Sequence, residues 1–161
     1  MKTKQNTLMI VVLIFLTSLG IHQSVKAHCE MPCGIYADSL RIVMISEDIT
    51  TIEKSMSEII ELSKATPVNY NQLVRWVTTK EEHANKIQDI ATQYFMFQRV
   101  KLTTDKNEMI KNQKLLGLLH EICVYAMKCK QTTDLEWTKK LTDSLNSFSK
   151  LYFENAEHSH H

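Results

Sequence analysis

Residues 28 to 36 read HCEMPCGIY and place one histidine and two cysteines within six positions. If the chain is cut after Ala27, His28 acquires a free α-amine, whose pKa of about 8 makes the neutral, ligating form accessible near neutral pH. Cys29 then offers a backbone amide nitrogen and a thiolate, and Cys33 a second thiolate. Amine, amide and two thiolates can surround one ion in a plane, the arrangement Ni(II) and Cu(II) prefer, whereas zinc prefers a tetrahedron. The His28 imidazole stays free to approach along the axis. Pro32 restricts the backbone and removes an N–H, and Gly34 permits positive φ immediately after the second thiolate. Tyr36 brings an aromatic body and a hydroxyl that could close over the ion. The competing reading of the same residues is a CxxxC disulfide, or two free thiols near a chain end.

The metal reading needs a cut after Ala27, and the leader supplies one. Residues 1–27 carry Lys2 and Lys4, then the apolar run Leu8–Leu19, then Val25-x-Ala27, the layout of a cleaved export signal. The apolar core is shorter than the ~20 residues of a membrane-spanning helix. Cleavage leaves 134 residues, enough for one domain with a real core. It removes three lysines and no acid, so 16 basic residues face 18 acidic ones and the mature chain is near −2. Nucleic acid as a partner is not expected, because a strongly basic patch is missing. Export implies a periplasm, a cell exterior or an organelle lumen.

Metal donors at a chain end must be held by something rigid behind them. After the leader, Pro32, Pro67, Gly34 and Gly117 are the only prolines and glycines, so breakers are scarce and helices are expected. The first helix should run from about Asp38 to Lys64, with a seam of Ile42, Ile45, Ile49, Ile52, Met56 and Ile59. Pro67 ends it. Asn69 with Gln72 can cap a second helix, roughly 70–99, carrying Leu73, Trp76, Ile87, Ile90 and Tyr94. Asp105 and Glu108 open a third, with Leu116, Leu119, Cys123 and Ala126 facing inward. Thr133 to Glu136 reads as a capping box for a fourth, with Trp137, Leu141, Leu145 and Phe148 as its stripe. Short connections between amphipathic helices give an all-α fold, an antiparallel four-helix bundle over 37–153, followed by a polar His-containing tail, 154–161. Cys123 and Cys129, six apart on one helix, sit ~9 Å apart and should not bridge.

The pattern His28-Cys29-x-x-Pro32-Cys33-Gly34-x-Tyr36 behind a cleavage site resembles the nickel hook of the nickel-containing superoxide dismutases. The resemblance extends along the bundle, through Arg75-Trp76, Lys80-Glu81-Glu82-His83 and Tyr94-Phe95. It implies one nickel ion per subunit, held by His28 through amine and axial imidazole, Cys29 through amide and thiolate, and Cys33 through thiolate. It further implies a two-step redox cycle: one superoxide gives up an electron and leaves as dioxygen, and a second takes up an electron and two protons and leaves as hydrogen peroxide. Tyr36 would order the small-anion pocket. Glu30 and Met31 would lend backbone to the turn, with Met31–Pro32 cis. Pro32 and Gly34 would shape it. A homohexamer, a maturation peptidase and a nickel source are implied as partners. Family members commonly carry a short leader removed inside the cell, which would make the protein cytoplasmic.

Two positions depart from the family pattern. Where members place a glutamate that orients the axial imidazole, this chain has Val43, and where they place an arginine it has His83. His83 shares a helix row with Trp76, Ile87 and Ile90, so it is expected to face inward, as a satisfied core histidine or as a group acting on the axial imidazole. The alternative function is a helical protein that binds nickel or copper without turnover. Mass spectrometry of the native protein should find His28 as its first residue together with one bound metal ion. A native chain beginning at Met1 would remove the terminal amine on which the planar donor set depends.

Overall fold

The computed structural model describes residues 36–154. They belong to the unit that begins at Pro32, and the leader, the hook residues 28–35 and the tail from 155 lie outside the described residues. Four helices follow one another. They are α1 (Asp38–Lys64), α2 (Tyr70–Asp89, continued by a π-helical stretch, Ile90–Arg99), α3 (Lys106–Gln131) and α4 (Glu136–Phe153). Contacts join α1 to α2, α2 to α3, α3 to α4 and α4 back to α1, closing a four-helix ring. The start of α1 meets the ends of both α2 and α4, through Asp38 with Arg99 and Tyr152, so neighbours run antiparallel as short connections demand.

The α1 seam forms as the spacing predicts: Ile45, Ile49, Ile52 and Met56 are buried and Ile42 packs at its edge. Expected caps also form. Asn69 accepts from the Gln72 N–H at 3.2 Å, and Asp105 from the Asn107 and Glu108 N–H groups at 2.9 and 3.0 Å. The far end of α3 is capped from a neighbouring helix. The buried Lys80 ammonium donates to the Lys130 and Thr132 carbonyls at 2.6 and 3.1 Å, meeting the negative end of the helix with a cation.

Three expectations are corrected. The capping box at Thr133 does not form: Asp134 accepts the Glu136 N–H at 3.0 Å, and its own N–H donates to Thr132 Oγ1. An aspartate two residues ahead makes the tighter local turn and takes the donor first. On α3 the buried row is Leu115, Leu119, Ile122, Ala126 and Cys129, and Leu116 is exposed. Steps of four and three through Ile122 hold one face, and Leu116 and Cys123 lie about 100° around from it, so Cys123 packs only at the core's edge. The third correction is the π-helical stretch, where ordinary helix was expected. Val100 N–H donates to the Phe95 carbonyl, five residues back, at 3.0 Å. Residues five apart diverge by about 140° on an α-helix but point in much closer directions where bonds run i to i+5. That change of pitch brings Tyr94 and Arg99 onto one face.

Truncating the buried seam should be costly. Ile52→Ala is expected to lower the unfolding free energy by about 2–5 kcal/mol. Ile110→Ala, at a position 53% exposed, should change it by less than about 0.5 kcal/mol. Urea unfolding of the two variants checks both.

Candidate metal centre

Tyr36, the last residue of the expected hook, is described and lies two residues before α1 begins. Its ring is 44% exposed. The Arg99 guanidinium lies over it, 4.1 Å from the centroid, and the Tyr94 ring meets it edge-on at 6.2 Å. Next comes Ala37, whose N–H donates to the Tyr94 hydroxyl oxygen at 2.9 Å. Asp38, the first residue of α1, then gathers the group. Tyr94 donates its hydroxyl to Asp38 Oδ1 at 2.5 Å, while Tyr152 and Arg99 Nη2 donate to Oδ2, each at 2.7 Å. Arg99 Nε adds bonds to Asp38 Oδ2 at 3.2 Å and to the Tyr152 hydroxyl at 3.1 Å.

The protonation states arise from these contacts. Burial alone would raise the Asp38 pKa, but bonds from Arg99, Tyr94 and Tyr152 outweigh it and hold the carboxyl below its ordinary value. Burial opposes the Arg99 charge too, and the bond to Asp38 more than compensates, so its pKa is raised. Tyr94 and Tyr152 are both pushed up, by burial first and by the bond to Asp38 next. At neutral pH the group is a carboxylate, a guanidinium and two intact phenols. A second guanidinium, Arg41, lies 4.9 Å from the Tyr94 centroid, and among the described residues it has no carboxylate partner.

His83 faces inward as expected, with a partner that its sequence neighbourhood does not reveal. Its Nδ1 lies 2.6 Å from Asp48 Oδ1, joining α2 to α1, and Asp48 is buried. Val43, at the position of the family glutamate, is half exposed and offers no polar group. His28, Cys29, Glu30, Pro32, Cys33 and Gly34 lie outside the described residues. Sequence reasoning also missed Asp38, Arg99 and Tyr152 as neighbours of the hook. Signals existed for two of them: Arg99 is the lone cation closing the apolar run IATQYFMFQRV, and Tyr152 continues the Leu141, Leu145, Phe148 row four residues on.

The donor set can be tested for nickel against the rest of the chain. Among the described residues no group of three or more His, Cys, Asp or Glu side chains could hold a metal ion. The two bundle cysteines are unsuited to compete: Cys123 is partly buried with its thiol pKa raised by burial, and Cys129 is fully buried and pushed up to about 11. Among the described residues nothing rivals the amine, amide and two thiolates that residues 28–33 would offer, and such a set would suit nickel.

Comparison with protein families matches the nickel-containing superoxide dismutase model to residues 23–156, a span that takes in the whole hook sequence and the bundle. The chain belongs to the nickel-containing superoxide dismutase family. It is a nickel-containing oxidoreductase that converts superoxide to dioxygen and hydrogen peroxide. Searches of curated proteins and of solved structures returned no match.

Asp38→Asn should destabilise the fold by about 2–3 kcal/mol at neutral pH, because it leaves Arg99 partly buried without its counter-charge. Since the folded Asp38 pKa lies below the unfolded value of about 3.9, the wild-type advantage is complete above that value and is lost as pH falls through the folded one. Urea unfolding of both proteins between pH 7 and pH 3 should show the gap constant at first and shrinking at the acid end.

Proposed function

We propose that His28, Cys29 and Cys33 hold the nickel at the N-terminus of a chain cut after Ala27, and that Tyr36 closes the pocket in which superoxide is bound. His28 would contribute its α-amine and imidazole, Cys29 its amide nitrogen and thiolate, and Cys33 its thiolate. Nickel supplies the one-electron chemistry when bound. Pro32 and Gly34 shape the turn, and Glu30 lends it backbone.

The observation that carries this reading is the anchoring of Tyr36 and Ala37 by the Asp38, Arg99 and Tyr94 group. Tyr36 comes three positions after Cys33, a reach of at most about 11 Å, so a second thiolate held there stays close to that anchor. Arg41, over the Tyr94 ring that meets Tyr36 edge-on, has no carboxylate to neutralise it among the described residues, and such a local field would favour an anionic substrate in a chain of near-zero net charge. Tyr36 would order the substrate and its waters. His83, held by Asp48, would take the place of the family arginine.

The remaining assignments belong to the same proposal. Residues 1–27 are a leader removed by a peptidase, residues 28–36 the hook and 37–153 the bundle, with the polar tail from 154. The leader's layout supports export to a periplasm, cell exterior or organelle lumen, and a propeptide removed in the cytoplasm is the other family-type route. Among the described residues no helix is long and apolar enough to cross a membrane. A homohexamer and a dedicated nickel source complete the proposal, on family likeness.

Cys29→Ser and Cys33→Ser should each lose stoichiometric nickel and superoxide consumption, read by elemental analysis and by a superoxide decay assay. Full nickel occupancy with full activity in either variant would refute the donor set. His28→Ala should keep nickel on the remaining donors. It should lose activity by more than the roughly 10–100-fold that accompanies removal of an outer-shell partner, and unchanged turnover would remove the role of the imidazole.

A further inference from the structure

The connection between α2 and α3 borders two adjoining clefts that the hook chemistry does not use. The first, about 380 Å³, is lined by three cations, Arg99, Lys101 and Lys111, against one acid, Glu108. Glu108 is already engaged, since Oε2 accepts the Thr103 hydroxyl at 2.8 Å. Lys101 and Lys111 have no carboxylate partner among the described residues. Arg99 gives Nε and Nη2 to Asp38 and Tyr152, which leaves Nη1 for another acceptor. The second cleft, about 310 Å³, has an apolar wall that includes Met96, Val100, Met109 and Leu116. The two share Lys101, Leu102, Thr103 and Asn112, so they adjoin along that stretch, where Asn112 Nδ2 donates to the Lys101 carbonyl at 2.7 Å.

Each cleft excludes a different simple occupant. An inorganic anion would satisfy the lysines and leave the apolar wall in water. An alkyl chain alone would cover the wall and leave the ammonium groups unpaired. Met109 and Leu116 are 46% and 38% exposed and Leu102 is fully exposed, so apolar surface is available beside the cations. Both volumes sit at the small end of ligand pockets. We propose that the pair of clefts binds a small amphiphilic carboxylate, a medium-chain fatty acid in chemical class, with its head on Lys101, Lys111 and Arg99 and its chain along Met109 and Leu116. The head would receive charge-assisted hydrogen bonds, and the chain would leave water. Because Arg99 and Tyr152 line the cationic cleft and also hold Asp38, the ligand would touch the group that anchors Tyr36. The binding itself does not depend on the hook's metal chemistry.

Titration calorimetry of the nickel-loaded protein with octanoate, acetate and 1-octanol tests this. Octanoate should bind saturably at one site, at least about tenfold more tightly than acetate, since each buried methylene is worth up to about fourfold. It should also exceed 1-octanol by about tenfold, because the alcohol lacks the charge. Lys101→Gln with Lys111→Gln should weaken octanoate about tenfold, and Met109→Gln with Leu116→Gln should erase its advantage over acetate. Lys139→Gln with Lys150→Gln, at positions outside both clefts, should change nothing. Sensitivity to the lysine pair alone would mean a plain anion site, and sensitivity to the apolar pair alone a plain alkyl patch. Either result overturns the proposal, as does a lack of saturable octanoate binding.

Discussion

The carboxylate of Asp38 carries more of this architecture than any other polar group. It is the first residue of α1, and it receives bonds from the ends of two other helices: Tyr94 and Arg99 near the end of α2, and Tyr152 near the end of α4. A lone carboxylate there would be penalised by burial, and so would a lone guanidinium. Held together they satisfy each other, and the two phenols fill the remaining acceptor positions. Arg99 in turn lies over Tyr36. The orientation of the last hook residue therefore rests on a charge pair whose members are 61 positions apart.

That pair would not close if α2 kept ordinary pitch to its end. Tyr94 and Arg99 are five residues apart, and both must reach Asp38. On an α-helix they would point in directions about 140° apart. Widening the helix to bonds of i to i+5 brings them together, while Tyr94 and Phe95 stay buried within a cluster of edge-on ring contacts that takes in Phe148 and Tyr152. The aromatic cluster favours the wide turn from the inside and Asp38 from the rim. Here packing and polar bonding select the same backbone.

The bundle also keeps its own thiols out of the chemistry. A nickel enzyme that releases peroxide is vulnerable to stray cysteines that bind metal or oxidise. Cys129 is enclosed in the core and Cys123 is half covered, and burial favours the protonated form of each.

Local signals were enough for much of this protein. The family, the four helices and most of their caps could all be read directly, because short motifs, seams and caps are patterns of near neighbours. The α1 seam and the Asn69 and Asp105 caps formed where their spacing put them. What could not be read is whatever joins distant positions. The inward face of α3 turned on which of two adjacent rows met α4, the partner of His83 proved to be Asp48 on another helix, and the change of pitch after Asp89 has no local signature. The sequence by itself determined the family and the order of four helices. Only the tertiary structure decided that Asp38, Arg99, Tyr94 and Tyr152 converge beside Tyr36, because buried charges are stabilised by their spatial partners, and no spacing rule reaches across three helices.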